Sequence, residues 1–182
     1  MKHILLLATF SFILISCKSP DTQAQHPVIP TIASSDIKAA ADTTRIRITT
    51  FSTDQTNNIF NFDSTASGWK GTLYRYQVTA NNTAQVVDIR DMIPKNDWAE
   101  FSDFVAFLDI FALPDQKELE DIKLFPNPKS VRIQFELSRN DKQRVYTYDN
   151  PGAALPGSHW ATDKINTFIS YITGDFDFLQ PN

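Results

Sequence analysis

The segment from Ser130 to Ser138 alternates apolar and polar residues without interruption, and this pattern constrains the fold more than any other part of the chain. Its apolar positions are Val131, Ile133, Phe135 and Leu137. Successive side chains of a strand point to opposite faces of the sheet, so the pattern predicts a strand with one buried face and one polar face. A polar turn follows, and Gln143 to Tyr148 is predicted to pair back antiparallel.

Shorter alternating stretches predict further strands in the first half of the chain. The predicted strands are Thr44 to Phe51, Leu73 to Thr79 and Gln85 to Arg90. Asn81-Asn82 supplies a turn between the last two, because asparagine tolerates left-handed backbone angles. Ser52 to Lys70 is predicted to be loop-like, with Ile59, Phe60 and Phe62 either pinning the loop to the core or forming a short strand.

Two amphipathic helices are predicted. Apolar residues recur every three or four positions from Asp97 to Ala112, with Asn96 as the predicted N-cap. A second helix is predicted to begin after Ser158 or Thr162 and to continue through about Thr173, where Gly174 would end it. The width of the apolar face predicts that the first helix is largely covered by the sheet.

The order of these elements is strand, hairpin, helix, hairpin, helix. It predicts an α+β two-layer sandwich, in which two helices cover one face of an antiparallel sheet of about five strands. Residues 43–182 are long enough for a single domain with its own core.

The N-terminal segment predicts the cellular location. Ile4 to Ile15 is mostly apolar and too short to cross a bilayer, which takes roughly 20 residues. It ends in Leu14-Ile15-Ser16-Cys17, which resembles the lipobox of bacterial lipoprotein signal peptides. The resemblance implies that residues 1–16 are removed and that the Cys17 sulfur carries a diacylglycerol. Residues 17–42 are rich in Ser, Thr, Gln, Pro and Ala, and we predict a flexible tether there.

Further consequences follow from the resemblance. Lys18, rather than aspartate, follows the cysteine, which favours the outer membrane under a common Gram-negative sorting rule; the leaflet is left open. Acylation of Cys17, the single cysteine, would exclude disulfides, thiolate metal sites and a cysteine nucleophile. The chain has 17 basic and 21 acidic residues, and cleavage removes only Lys2 from these, so the net charge changes from −4 to −5. A nucleic-acid partner calls for a basic patch, which the sequence lacks.

Candidate catalytic groups are few, and we predict no metal site, no cofactor and no assigned catalytic residue. His159 is the one histidine of the predicted domain, whereas a zinc site needs several ligands at suitable spacing. Carboxylates cluster after the first helix, and two alternate with phenylalanines near the C-terminus. These acidic residues are Asp109, Asp115, Glu118, Glu120, Asp121, Asp175 and Asp177. An envelope hydrolase that uses carboxylates and His159 is an alternative function.

Loop aromatics are the candidate binding residues. Trp69 lies between two glycines, and His159 and Trp160 follow a loop rich in Pro and Gly. Each of these aromatics either anchors a ligand or packs at the edge of the core. The leading hypothesis is a non-catalytic, lipid-anchored envelope protein that binds an envelope protein or a glycan, with an inhibitor or immunity-type lipoprotein as a special case. Three short motifs match glycosylation patterns: Asn81–Thr83, Asp42–Thr44 and Asp63–Thr65.

Overall fold

A computed structural model describes residues 43–52, 57–79, 83–119, 131–140, 142–149 and 159–181. The predicted signal peptide, the lipidation residue and the predicted tether lie outside these residues. So do the predicted Asn81-Asn82 turn, Ser158, Glu120 and Asp121.

The described residues form seven strands of a single sheet, in which every neighbouring pair is antiparallel. The strands are β1 (Thr44–Ser52), β2 (Asn57–Thr65), β3 (Gly68–Val78), β4 (Ala84–Pro94), β5 (Val131–Arg139), β6 (Lys142–Asp149) and β7 (Phe176–Leu179). Their order across the sheet is β6-β5-β1-β2-β3-β4-β7. Among the described strands, the two edges of the sheet are therefore β6 and the short C-terminal strand β7.

In the part of the chain that the structure describes, two α-helices cover one face of the sheet, here called the inner face. They are α1 (Trp98–Leu108) and α2 (Trp160–Asp175). In the described residues that follow α1, up to 119, the chain makes 3-10 turns at Ile110–Ala112 and Gln116–Glu118. The Lys95 N–H donates to the carbonyl of Asp175 at 2.8 Å, so the start of α1 lies beside the end of α2.

Aromatic rings fill the core between the helices and the inner face. Phe101 of α1 is completely buried, and its ring centroid lies 4.7 Å from that of Phe62 in β2. Phe168 of α2 packs within 6.4 Å of the Phe101 ring and within 6.2 Å of Phe135 in β5. Buried aromatic side chains contribute large apolar areas, so this cluster joins both helices to the centre of the sheet.

The structure confirms the α+β class, but the predicted number of about five strands is wrong. The segment Ser52 to Lys70, predicted to be loop-like with a short strand at Ile59, Phe60 and Phe62 as the alternative, contains the nine-residue strand β2, which lies between β1 and β3. The neighbouring residues Ile59 and Phe60 are both buried, on opposite faces of the sheet. The Asn-rich sequence of β2 therefore lacks the alternation of apolar and polar residues that would have predicted a strand. The other additional strand, β7, is only four residues long and pairs with β4, far away in the sequence.

The predicted helix boundaries also change. Asp97, rather than Asn96, caps α1, because its Oδ1 accepts the Glu100 N–H at 2.7 Å. The α-helix ends at Leu108, because Asp109 adopts a left-handed conformation and the chain continues as a 3-10 turn. Gly174 does not end α2, which continues through Asp175 into β7.

Candidate binding surface

Strand β4 carries aliphatic side chains on the side of the sheet that the helices do not cover, here called the outer face. Val86 and Ile89 lie opposite Tyr76 and Tyr74 of β3. Five of the eight large apolar side chains exposed in the described part of the protein lie on β4 and β7. We call these residues the aliphatic stripe: Val86, Val87, Ile89, Ile93 and Leu179. The stripe is unusual because exposed apolar side chains in a monomer are usually scattered.

The inner side of the same half of β4 is charged. Arg90 Nε donates to Asp88 Oδ2 at 2.9 Å, and Arg75 Nη1 of β3 lies 3.4 Å from the same oxygen. One carboxylate therefore pairs with two guanidinium groups beyond the helix-covered core. The usual polarity of a half-buried sheet is reversed here, since the aliphatic groups face away from the helices and the charges face the helix side.

A β-bulge lies within the stripe. Arg75 pairs with Asp88, whereas the next residue, Tyr76, pairs with Val86, so Val87 is the extra residue of β4. Bulges increase the local twist and redirect side chains, and they are frequent at sheet edges and functional sites. This bulge places two neighbouring valines, with exposed fractions of 37% and 49%, opposite one residue of β3.

Strand β7 covers only part of β4. The pairing runs from Pro94 opposite Phe176 to Asp91 opposite Leu179. Leu179 is exposed on the outer face and continues the stripe onto β7. The segment Ala84–Arg90 has no neighbouring strand on this side among the residues that the structure describes.

The centre of the outer face is buried even though both helices lie on the inner face. Ile59 and Thr49 are fully buried, and Tyr76 is 1% exposed. Neither the Thr49 Oγ1 nor the Tyr76 hydroxyl group has a hydrogen-bond partner among the described residues. Burial raises the pKa of Tyr76 to about 12, against the opposing effect of the Arg47 charge.

The three predicted binding residues lie in two separate places. Trp69 is half-buried on β3, with its ring centroid 5.2 Å from that of Phe101, and it packs against the core. His159 and Trp160 stand at the start of α2, with ring centroids 5.7 Å apart. Phe101 also contacts Tyr171 near the other end of α2. At 1.5 Å per helical residue, roughly 16 Å of helix separates Tyr171 from Trp160. Trp69, which contacts Phe101 as Tyr171 does, therefore lies in a different place from Trp160.

His159 has a structural partner. Its Nδ1 accepts the Ala161 N–H at 3.2 Å, so the imidazole caps α2. The predicted cap Thr162 instead donates its hydroxyl to the His159 carbonyl at 2.7 Å. Trp160 is 54% exposed, and the Lys164 ammonium group lies 5.4 Å from its ring centroid.

The predicted acidic residues mostly end or begin local elements. Asp115 Oδ1 accepts the Lys117 N–H, and Glu118 Oε2 accepts the Asp115 N–H, which together cap the second 3-10 turn. Asp175 ends α2, and Asp177 is exposed on β7. Within the described ranges, no three His, Cys, Asp or Glu side chains are grouped so that they could hold a metal ion.

An open, polar cleft lies where the second 3-10 turn meets β6. Arg132 binds Asp149 through two hydrogen bonds, of 2.6 and 3.0 Å. The Gln116 side-chain amide binds both the N–H and the carbonyl of Asp149, as a neighbouring strand would. Asp149 of this cleft is therefore paired with both Arg132 and Gln116. The cleft residues are Asp115, Gln116, Lys117, Leu119, Arg132, Thr147 and Asp149.

Comparisons with known proteins found no match among protein-family models, curated proteins or solved structures. Among the helices formed by the described residues, neither has the length and apolar character needed to cross a membrane.

Sequence reasoning missed the aliphatic stripe, although part of its signal is visible. Val86 and Val87 stand side by side and break the alternation of the predicted strand Gln85 to Arg90. A bulge is one cause of such a break. How much of the edge of β4 is covered depends on its pairing with β7. The local sequence pattern of β4 does not encode this pairing.

Proposed function

We propose that this protein is a non-catalytic binding module, anchored to a bacterial envelope membrane through an acylated Cys17. The observation that carries the binding role is the reversed polarity of β4. Aliphatic side chains face away from the helices, while Asp88 and Arg90 form ion pairs on the helix side. Contiguous exposed apolar surface commonly marks a protein-interaction site.

Other features support a binding role over an enzymatic one. In the described ranges, four tyrosines and Arg132 have clearly shifted pKa values. Burial is the main cause for the tyrosines, and the hydrogen bond to Asp149 is the main cause for Arg132. His159 is engaged in capping α2. These are structural roles, and they leave the aliphatic stripe as the best candidate contact surface.

The envelope location is supported by the sequence at the N-terminus. Leu14-Ile15-Ser16-Cys17 resembles a lipobox and follows an apolar segment. Stable membrane attachment takes more than one acyl chain, which a diacylglyceryl group would provide. The Cys17→Ala variant should move from the detergent-soluble membrane fraction to the aqueous fraction or accumulate unprocessed. Unchanged partitioning would contradict the anchor.

The binding role is tested by crosslinking the full-length lipidated protein in its native envelope and identifying adducts by mass spectrometry. We expect a dominant protein partner that is lost in the double variant Val86→Asp/Ile89→Asp. Val145→Asp on β6 is the matched control, because Val145 is 59% exposed on the other edge strand. A partner that survives both changes, or no partner at all, would overturn the proposal.

A further inference from the structure

We propose that the free half of β4 binds an extended segment of a partner protein as an additional strand. The partner segment would carry aliphatic side chains at alternate positions. This inference rests on the proposed binding function and adds to it the mode of recognition. The observation that points to strand addition is that β7 pairs with only part of β4 and leaves the rest of that edge without a neighbouring strand among the described residues.

Strand β7 ends part of the way along the edge of β4. Pro94 to Asp91 pair with Phe176 to Leu179, and no strand of the described chain continues this row beside Ala84–Arg90. The free segment is long enough for a strand of about five or six residues, which is the common length in proteins. Among the described residues, its backbone makes no hydrogen bond outside the pairing with β3.

An unpaired strand edge presents a row of N–H and C=O groups that another chain can pair with. Peptide recognition by strand addition uses these groups for affinity and alternate side chains for specificity. On the outer face, Val86 and Ile89 flank the empty row, and Leu179 lies at its β7 end. Aliphatic side chains of an added strand would pack against all three.

The other edge of the sheet shows the protection that this one lacks. On β6 the Gln116 amide occupies the edge groups of Asp149. Lys142 stands exposed at the start of β6, and charged side chains, lysine above all, discourage edge pairing. On β4 the charges of Asp88 and Arg90 are paired with each other on the inner side, so neither shields the edge.

A second copy of the chain fits this edge less well than an extended peptide. Each processed copy would carry a net charge of −5, with 16 basic and 21 acidic residues, and like charges oppose association. A standard interface buries roughly 800 Å² on each partner. The five partly exposed aliphatic side chains of the stripe, four on β4 and one on β7, form a narrow surface suited to a single extended segment.

The test uses a synthetic peptide, Lys-Val-Thr-Ile-Thr-Val-Lys, and amide hydrogen exchange of the full-length protein in detergent. We expect the peptide to slow exchange at least tenfold in Ala84–Arg90 and to leave Lys142–Thr147 unchanged. The same peptide N-methylated at alternate residues should give no protection, because it lacks the N–H groups that pair with β4. Ile89→Lys should abolish the protection, whereas Val145→Lys should retain it.

Three results would overturn strand addition. The first is no protection with millimolar peptide in the folded wild-type protein. The second is equal protection by the N-methylated peptide, which would mean docking through side chains alone. The third is protection of Ala84–Arg90 that rises with protein concentration without peptide, which would identify a second copy as the occupant. The crosslinking result for the stripe is independent of all three, so the binding role can stand if strand addition fails.

Discussion

Gly71 shows how a single residue sets the distance between a helix and the sheet. A β-carbon at this position would lie 2.9 Å from the Met92 Cβ and 3.1 Å from the Trp98 ring. The absence of a side chain lets the first residue of α1 rest directly on β3. Trp98 then packs its ring against Phe101 at 5.5 Å and Phe176 at 5.7 Å.

The Gly71→Ala variant should therefore be destabilised by about 1–3 kcal/mol, because overpacking forces neighbouring groups apart. Gly174→Ala is the matched control, since a β-carbon there meets no atom within 4 Å. That change should stabilise the protein by up to about 1 kcal/mol, because alanine has less conformational freedom in the unfolded chain. Urea denaturation followed by tryptophan fluorescence measures both effects. Equal effects of the two substitutions would contradict the close approach at Gly71.

At the scale of elements, α2 begins with a histidine cap. The first backbone N–H groups of a helix lack partners within the helix, and His159 Nδ1 accepts one of them from Ala161. His159→Ala should lower the free energy of unfolding by about 0.5–2 kcal/mol, the usual cost of removing an N-cap. His159→Asn should retain most of the stability, because its side-chain oxygen can accept the same N–H. Thermal unfolding separates the two variants, and an equal loss in both would mean that the ring packs rather than caps.

The sequence predicted elements where the period of apolar residues decides the structure. The pattern of Phe101, Val105 and Leu108 predicted α1, and all three are buried. The predicted end of that helix was wrong because Asp109 takes a left-handed conformation, which periodicity does not encode. Phe107, part of the same predicted apolar pattern, is 78% exposed because the sheet contacts only one side of α1.

Pairing between distant strands explains what sequence reasoning missed. Residues of β2 are buried on both faces of the sheet. This strand therefore lacks the regular alternation of apolar and polar residues that marks a strand with one solvent-exposed face. In β7, only four residues pair with β4. The candidate surface depends on where this pairing ends, so Val86 and Ile89 were predicted as strand residues but not as a contact surface. Trp160, by contrast, could be selected from its loop position, and it is exposed.

At the scale of the whole molecule, buried tyrosines link the stability of the sandwich to alkaline pH. Tyr146 and Tyr148 of β6 donate their hydroxyl groups to the Ile110 and Pro114 carbonyls, at 2.9 and 2.7 Å. These bonds tie the edge strand to the chain that follows α1. Burial raises the pKa of Tyr148 to about 12, and it raises the pKa of Tyr146 further.

The sign of the pH dependence follows from these shifts. Unfolded tyrosine has a pKa of about 10. The folded protein holds the protons of Tyr76 and Tyr148 until about pH 12, so above pH 10 the unfolded state ionises first. The stabilisation is therefore complete below about pH 10 and is lost as the pH rises towards 12. Urea denaturation between pH 8 and pH 12 should show a steep decline in the free energy of unfolding.

Two phenylalanine variants separate the contributions of the hydroxyl groups. Tyr76→Phe removes a buried hydroxyl that has no hydrogen-bond partner in the described part of the chain, so stability at neutral pH should stay equal or rise, by up to about 1–3 kcal/mol. Tyr148→Phe removes a donor and should cost about 1 kcal/mol at the same pH. Both variants should lose less stability than the wild type between pH 10 and pH 12, because each lacks one group that ionises on unfolding. A decline as steep as that of the wild type in both variants would show that these tyrosines do not control the alkaline limit of the fold.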